Sequence, residues 1–396
     1  MQRPFAQGDR LPILSIHLLN AVSYGMKMRG ENLRMFYGTL TALAVAFLFY
    51  LIDPYANPRY RGPVSDHFDG RRFFNPGPFS DRGFRDFLRW QFHSERGFWP
   101  EFIDQPPGPP PPPRVEGDCL RVTFIHHSTV LIQTAGLNIL TDPVWSKRVG
   151  PVSWLGPRRR RSPGLRINDL PRIDAILLSH NHYDHLDLPT LRRLMETHAP
   201  LLIAPLGVRA LLEAGGLPST AELDWWQTIS LRNGMKATCV PARHFSVRGF
   251  RDRNNALWCG YVLEAPGGRI YFAGDTGYGP HFEQITRQFA PIRLALLPIG
   301  AYKPAWFMSP VHMSPFEAVR AHQTLGAQTS VGIHFGTFAL ADEGEKEPAI
   351  DLERALKEAG NPMPQFWRLD FGEGRDVLSC PSEITSASSI PSSSQV

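Results

Sequence analysis

Cysteine is scarce in this chain, and the few cysteines stand far apart. Cys119, Cys239, Cys259 and Cys380 are the four among 396 residues, and no two of them form a C-x-x-C pair. This spacing argues against a disulfide framework and against a structural site of the zinc-finger kind. The sequence also lacks an internal repeat at a solenoid period, which argues against a repeat architecture.

A strong charge of one sign is missing as well. The formal net charge is +5 and the pI is near 9.1. The densest basic run is the four arginines at 158–161, for which a solvated loop is the expected state and contact with phosphates or anionic headgroups the alternative. Because neither a basic domain nor an aromatic RNA-stacking motif accompanies this run, we expect no nucleic-acid partner.

Long uncharged apolar runs are rare, and the exception covers residues 35–52, MFYGTLTALAVAFLFYLI. As a helix it would span about 27 Å, close to the roughly 30 Å of a hydrocarbon core. It therefore predicts a single N-terminal transmembrane anchor and a membrane-associated protein, with a buried helix or a signal peptide as alternatives. Basic residues on both sides leave the orientation open.

Composition divides the rest of the chain into segments. Residues 1–34 are predicted to be poorly structured, and 53–114 form an extension that ends in a Pro-rich connector, PPGPPPPP, at 106–113. A globular domain is expected over 115–378. The Ser-rich tail at 379–396 is too polar to pack and is predicted to be disordered.

Within 115–378, short apolar runs alternate with turns and helical patterns, which predicts an α/β fold with enough strands for two sheets. Helices are expected at 188–197, 208–214 and 314–325. The last of these begins with Ser314, Pro315 and Glu317 at the spacing of a capping box. Strands are expected at 120–125, 129–133, 137–141, 175–179, 201–204, 237–241, 257–264, 269–273, 294–298 and 330–333.

Histidine is the residue whose clustering is informative. The stretch IDAILLSHNHYDHLD runs from an apolar strand into a loop that offers His180, His182, Asp184 and His185 within six residues. Imidazole and carboxylate groups are ligands for zinc and similar divalent ions. This spacing predicts a metal site at the end of the strand.

Three later strand ends supply further ligand candidates: His244, Asp275 and His334. Each follows an apolar run, so all three are expected at the same edge of the sheets as the first cluster. A buried core histidine is the alternative for His244 and His334, and a turn-forming role is the alternative for Asp275.

These strings resemble known families. The H-x-H-x-D-H pattern is similar to the signature of the metallo-β-lactamase superfamily. The strings T-D-P at 141–143, H-N-H-Y-D-H-L-D at 180–187, H-M-x-P-x-E-A-V-R at 312–320 and I-H-x-G-T-F-A-L at 333–340 resemble the N-acyl-phosphatidylethanolamine-hydrolysing phospholipase D family. One departure is His126, where relatives tend to have glycine.

The resemblance implies a fold and a site. The fold would be an αβ/βα four-layer sandwich, here with an N-terminal hydrophobic helix and the extension. The cofactors would be two divalent metal ions, with zinc expected. One metal would be held by His180, His182 and His244 and the other by Asp184, His185 and His334, with Asp275 bridging. Asp184, Asp275 and His312 would be catalytic, and His127 and Asp142 would orient ligands or contact the substrate.

The resemblance also implies a reaction, the hydrolysis of N-acyl-phosphatidylethanolamine to phosphatidate and an N-acylethanolamine. A metal-bridging hydroxide would attack phosphorus. A lactonase or another phosphodiesterase of the same fold is the alternative, and a non-catalytic, membrane-anchored binding module is a further one. The expected partners are a phospholipid and a membrane. The oligomeric state stays open, with a homodimer among the options.

Overall fold

The computed structural model describes residues 38–43, 53, 55–217, 220–360 and 365–378. The chain divides into two compact units, 1–54 and 55–396. In the first unit, residues 38–43 are helical and exposed. The predictions of a poorly structured start at 1–34 and a disordered tail at 379–396 lie outside the described residues.

The predicted transmembrane anchor at 35–52 is wrong as a feature of the described structure, and so is the anchored localisation inferred from it. Within that range only residues 38–43 belong to the described residues. None of the helices in the described ranges combines the length and the apolar character required to cross a bilayer. The expected N-terminal hydrophobic helix is therefore not part of the fold described below.

The second unit alternates strands and helices along most of its length. Its helices are α1 (Phe84–Phe92), α2 (Leu188–His198), α3 (Arg209–Ala214), α4 (His281–Phe289), α5 (Ala305–Met308), α6 (Pro315–Leu325) and α7 (Glu347–Glu358). Its strands are β1 (Leu120–His126), β2 (Thr129–Thr134), β3 (Leu137–Thr141), β4 (Ala175–Leu177), β5 (Leu201–Pro205), β6 (Ala221–Leu223), β7 (Thr228–Ser230), β8 (Lys236–Val240), β9 (Gly260–Ala265), β10 (Gly268–Phe272), β11 (Ile292–Pro298), β12 (Thr329–Ile333), β13 (Phe366–Trp367) and β14 (Gly374–Val377).

Within the described residues these strands form two mixed sheets of seven, in the orders β14-β1-β2-β3-β4-β5-β6 and β13-β12-β11-β10-β9-β8-β7. In the first sheet β14, β1, β2 and β3 pair antiparallel, and β3 to β6 pair parallel. The second sheet has the same division, since β7 to β10 pair antiparallel and β10 to β13 parallel. The predicted α/β fold with two sheets is confirmed.

Alternating side chains place a core on each face of the first sheet. Val130 and Ile139 belong to the main core, which also contains the residues of the second sheet. Their neighbours Leu131 and Leu140 face the other way, toward Leu191 of α2. Because successive side chains of a strand point to opposite faces, this pattern gives the layers helix, sheet, sheet, helix, with α4, α6 and α7 contributing to the core on the side of the second sheet.

The segment before β1 packs on the sandwich. Phe68 and Phe73 are buried in the main core. The Pro-rich stretch is hydrogen-bonded along its length, from Gly108 N to Gly164 O at 2.7 Å and from Gln133 Nε2 to Pro112 O at 2.7 Å. Residues of this segment therefore complete the surface of the globular domain.

The arginine run at 158–161 is not the solvated loop that its composition predicts. Arg159 is buried, donates from Nη2 to Val144 O at 2.8 Å, and lies over the ring of Phe338. Arg161 stacks on Phe371 and pairs with Glu345. Alternate members of the run thus point inward and stabilise the loop between β3 and β4, because a planar guanidinium can both stack and donate.

Candidate metal centre

The predicted ligands come together at one edge of the sandwich. His180 to His185 follow β4, His244 follows β8, Asp275 follows β10 and His334 follows β12. The two sheets approach each other closely at Gly274, which has φ +60°. A Cβ there would lie 2.6 Å from Cβ of Ser179, so glycine is required both by the backbone conformation and by the contact.

Three ring nitrogens converge in what we call the three-histidine group: His180, His182 and His244. His182 Nδ1 lies 2.8 Å from His180 Nε2 and 3.2 Å from His244 Nε2. His180 and His244 are buried, and His182 is partly exposed. Three imidazoles at this separation present their nitrogens to one common point.

Hydrogen bonds on the far side of the rings fix which nitrogen is free. His244 Nδ1 donates to Val311 O at 3.0 Å, so its Nε2 carries the lone pair. The hydroxyl of Ser179 donates to Asp142 Oδ2 at 2.5 Å and therefore accepts from His180 Nδ1 at 2.9 Å. Both rings thus aim unprotonated Nε2 atoms at His182 Nδ1, an arrangement that is repulsive unless a proton or a cation lies between them.

A second cluster, which we call the mixed group, contains Asp184, His185 and His334. Asp184 Oδ2 lies 3.4 Å from His185 Nε2 and 3.6 Å from His334 Nε2. His127 Nε2 approaches the same oxygen at 3.1 Å. His127, which was expected to orient a ligand or contact the substrate, therefore contacts the carboxylate of a candidate ligand.

Asp275 stands between the two groups, where a bridging ligand is needed. Its Oδ2 is 3.1 Å from His334 Nε2, 3.2 Å from His185 Nε2 and 3.8 Å from His244 Nε2. Its Oδ1 is buried without a hydrogen-bond partner among the described residues. Burial of a carboxylate oxygen away from solvent is energetically costly unless a cation or a hydrogen-bond donor contacts it.

Asp142 orients the mixed group from behind. Its Oδ2 accepts from His185 Nδ1 at 2.7 Å, and its Oδ1 accepts from Ser179 N at 2.7 Å. A carboxylate that holds the outer nitrogen of a ligand histidine fixes the tautomer and makes the inner nitrogen a stronger ligand. The predicted role of Asp142 as an orienting residue agrees with this contact.

Three residues here adopt left-handed backbone conformations without being glycine. His127, Asp142 and His334 have φ of +49°, +32° and +62°. His334 N donates to His127 O at 2.7 Å, which ties two of the three together. Strained backbone conformations of this kind are retained where the surrounding structure enforces them, and they concentrate at functional sites.

Burial sets the protonation state of the three-histidine group. It lowers the pKa of His182 and of His244 to about 3, and it lowers the pKa of His180 well below its usual range. All three imidazoles are therefore neutral at pH 7, which is the state that ligates a metal.

Asp184 and Asp275 are ionised. Burial alone would raise the pKa of Asp184 and Asp275, but the positive charge of His185 holds both well below their usual range. Burial lowers the pKa of His334, yet the charge of Asp275 outweighs it and raises that pKa to about 9. In the mixed group, protons on histidine thus balance carboxylate charge that a cation would otherwise balance.

His312 lies at the rim of the site. Its Nδ1 is 3.8 Å from Asp275 Oδ2, and its side chain is 12% exposed, against 2% for Asp275. The predicted helix begins two residues later, where Ser314 and Glu317 form the capping box and fix the entry into α6. Burial lowers the pKa of His312 to about 3, so the ring is a neutral hydrogen-bonding group at pH 7.

The residues present fit two metal ions. They supply six histidine and carboxylate ligands in two groups with a carboxylate between them. The inward-facing nitrogens of His180, His182 and His244 lie close enough to share one ion. In the mixed group, His334 Nε2 is buried without a hydrogen-bond partner within the described structure. Sequence reasoning did not find the orienting partners Ser179 and Val311. Ser179 adjoins the motif and could have been predicted from it. The acceptor on Val311 is a backbone carbonyl, which every residue has, so the sequence gives no signal for it.

His126, the departure from related sequences, is a buried packing residue. Its Nε2 donates to Val144 O, and its ring stands edge-on to Trp145 at 4.9 Å between centroids. It thereby contacts the same carbonyl as the buried Arg159.

Comparison with known proteins agrees with this geometry. Residues 137–335 match the family described as Beta-lactamase superfamily domain. The chain belongs to that superfamily. An uncharacterised protein of Mycobacterium tuberculosis is 38% identical over 337 residues, covering 83% of this chain and 86% of its own.

A second relative carries a function in its name. The N-acyl-phosphatidylethanolamine-hydrolyzing phospholipase D 1 of Caenorhabditis elegans is 37% identical over 266 residues, which covers 64% of this chain and 75% of the worm protein. The family resemblance drawn from the sequence motifs is thereby confirmed, and this superfamily member is a metal-dependent hydrolase.

The solved structures support the fold. Igni18, a metallo hydrolase from the archaeon Ignicoccus hospitalis, aligns with a TM-score of 0.50 at 19% identity. The alignment covers 66% of this chain and 99% of Igni18. The metallo-β-lactamase fold expected from the sequence is confirmed by this likeness and by the two mixed sheets.

Proposed function

We propose that the chain binds two divalent cations, with zinc as the preferred ion. The observation that supports this is the pair of ligand groups around one buried carboxylate. Neutral imidazole and ionised carboxylate are borderline ligands that suit zinc well. The three-histidine group would hold one ion, the mixed group the other, and Asp275 would contact both.

Two ions held in this way would lower the pKa of a bound water from 15.7 toward 7 and so would supply a nucleophile at neutral pH. The contribution of the chain is to fix the ligands before the substrate arrives. Asp142 and Ser179 hold His185 and His180 by their outer nitrogens, and Val311 O holds His244. A site whose ligands are oriented in advance does not have to reorganise during the reaction.

We infer that the substrate is N-acyl-phosphatidylethanolamine and that the products are an N-acylethanolamine and phosphatidate. The observation that carries this inference is the 37% identity to the worm phospholipase, together with the resemblance of the motifs at 180–187, 312–320 and 333–340 to that family. Hydrolysis adds the oxygen of water to phosphorus and breaks the bond from phosphorus to the ethanolamine oxygen, which leaves with a proton.

His312 is placed to contact the reacting phosphate. It lies at the rim, its Nδ1 is 3.8 Å from Asp275 Oδ2, and that Nδ1 has no hydrogen-bond partner in the described residues. As a neutral ring it would donate a hydrogen bond to a phosphoryl oxygen or to the leaving oxygen, where charge grows in the transition state. It would not carry a positive charge to the phosphate at pH 7.

An exposed aromatic surface near the site supports a lipid substrate. Phe84 and Phe92 of α1 are 73% and 82% exposed, among basic residues that include Arg85. On its inner side α1 packs through Trp90 on Phe307 of α5, the helix that leads into His312. Aromatic side chains beside arginines fit the interface of an aggregated anionic lipid.

The substrate is tested with purified, zinc-loaded protein and three compounds: N-acyl-phosphatidylethanolamine in mixed micelles, bis(p-nitrophenyl) phosphate and an acyl lactone. We expect mass spectrometry to detect N-acylethanolamine and phosphatidate in equal amounts. Asp184→Asn protein, prepared in the same way, should give neither product while keeping its fold. Turnover of the lactone alone would identify a lactonase, and turnover of bis(p-nitrophenyl) phosphate without the lipid would identify another phosphodiesterase.

Metal affinity is expected to rise with pH. Without a cation, the His334 pKa of about 9 keeps this ring protonated at pH 7, and a ligand imidazole has to be neutral. Each proton released on binding should therefore strengthen binding about tenfold per pH unit, until the pH passes the pKa. Chelator competition at two pH values, corrected for protonation of the chelator, measures this slope, and affinity that does not change with pH would contradict it.

A further inference from the structure

The segment 55–79 crosses both loops that carry the three-histidine group, although it lies outside the residues that match the superfamily. Asn57 is a buried polar residue of this segment, at 1% exposure. The backbone of Asn57 donates to Asp252 Oδ2 at 2.7 Å and accepts from Asn255 Nδ2 at 3.0 Å. These contacts fix it against the loop after β8, the loop of His244.

The side chain of Asn57 reaches the other ligand loop. Its Oδ1 accepts from Asn181 Nδ2 at 3.2 Å, and Asn181 lies between His180 and His182. Asn181 Oδ1 in turn accepts from Val247 N at 3.0 Å, so both ends of this buried amide are used. The loop after β4 is thus tied to the loop after β8 through two asparagine side chains, one of them from outside the matched domain.

Asn75 makes the corresponding contact with the third ligand. Its Nδ2 donates to His244 O at 2.8 Å. Arg243, the residue before this ligand, donates from Nη2 to Pro78 O at 2.8 Å. The segment therefore touches the main chain or the neighbours of every member of the three-histidine group.

The mixed group is oriented by different contacts. His185 is held by Asp142 at 2.7 Å, and the backbone of His334 is held by His127 O at 2.7 Å. Both partners belong to the loops after β1 and β3, not to the segment 55–79. Loss of contacts from this segment should accordingly disturb one group of ligands more than the other.

We propose that Asn57 and Asn75 are positioning residues of the three-histidine group, so that the segment 55–79 is part of the metal centre. This proposal rests on the proposed binding of two cations. Loss of a hydrogen-bond partner behind a metal ligand typically lowers metal affinity by roughly tenfold to a hundredfold. Asn75 holds the backbone of His244, and Asn57 holds Asn181 between His180 and His182.

The test compares zinc binding to the full chain and to Asn57→Ala, each stripped of metal and titrated against a chromogenic chelator. We expect the wild type to bind two ions. In Asn57→Ala one of them should weaken roughly tenfold to a hundredfold while the other changes far less. Asn75→Ala should weaken the same ion, and because Asn75 is only half-buried, this variant tests the proposal even if Asn57→Ala does not fold.

Two further variants separate positioning from general damage. Asn57→Asp keeps the oxygen that accepts from Asn181, but it loses the amide donor to Gly207 O and Pro58 O and buries a carboxylate beside them, so it should weaken the same ion as Asn57→Ala and spare the other. Asn138→Ala removes another buried asparagine that holds the N-terminal residues, through Pro113 O at 3.0 Å, and should leave both affinities unchanged.

The outcomes are distinct. Equal weakening of both ions in Asn57→Ala and Asn75→Ala, or no weakening in either, would overturn the positioning role and leave the proposed function intact. A wild-type chain that binds no zinc would overturn the proposed function and the positioning role together.

Discussion

Replacement of Asp275 by asparagine should reduce phosphodiester turnover at least roughly a thousandfold, since bound ions contribute several kcal/mol of transition-state stabilisation. Asp275 Oδ2 lies within 3.8 Å of ring nitrogens of His185, His244, His312 and His334. Asparagine has the same shape but no charge, and its amide would direct hydrogens at those nitrogens. Metal analysis should therefore show fewer than two ions per chain.

The fold should survive this change. Asparagine fills the same volume, and without the charge of Asp275 the neighbouring His334 is free to become neutral, because that charge is what raises its pKa to about 9. The matched control is Asp174→Asn, a buried carboxylate that pairs with Arg114 and Arg232 at the opposite end of β4. It should lose thermal stability but keep its metals and its turnover. Wild-type turnover in Asp275→Asn would exclude Asp275 as the shared ligand.

The second large effect is expected at His312. In His312→Gln, kcat should fall roughly a hundredfold to a thousandfold, the usual loss for one hydrogen-bond donor to the transition state. The two ions should remain, since His312 Nδ1 lies 3.8 Å from Asp275 Oδ2 at the rim of the site. Zinc content and kcat measured on the same preparation distinguish this result from the loss of a ligand.

A buried histidine elsewhere provides the control for His312. His322 of α6 contacts Ser330 Oγ through Nδ1 at 2.8 Å and lies in the core. His322→Gln should lower stability and leave kcat unchanged. If His312→Gln loses zinc in proportion to its activity, then His312 acts as a ligand and not as a contact for the phosphate.

The convergence of the candidate ligands could be predicted from sequence because each one follows an apolar strand. His244, Asp275 and His334 follow β8, β10 and β12, and strands of one sheet bring such ends to a common edge. The alternation of apolar residues also identified most strands. The four edge strands β6, β7, β13 and β14 were not predicted, since strands of two to four residues carry too little pattern to recognise.

Contacts between distant parts of the chain could not be predicted from the sequence. Asn57 meets Asn181 across 124 residues, and a single asparagine in a Pro-rich extension looks like a turn residue. The arginine run illustrates the same limit. Composition predicts a solvated loop, whereas Arg159 stacks on Phe338, which lies far along the chain after β12.

The apolar run at 35–52 shows how length misleads when hydropathy is the only guide. Eighteen uncharged residues match the thickness of a bilayer, and this match produced the anchor prediction. Hydropathy alone does not show that a segment is one continuous helix. The helical stretch at 38–43 lies inside the run, but no described helix satisfies the requirement for spanning.

Isotope labelling tests the central claim most directly. Zinc-loaded protein would be incubated with N-acyl-phosphatidylethanolamine in water enriched in oxygen-18. The oxygen-18 content of both products would then be measured by mass spectrometry. Attack on phosphorus at the two-metal site predicts one heavy oxygen in the phosphate of phosphatidate and none in the N-acylethanolamine. A label in the N-acylethanolamine, or in a released fatty acid, would contradict the account.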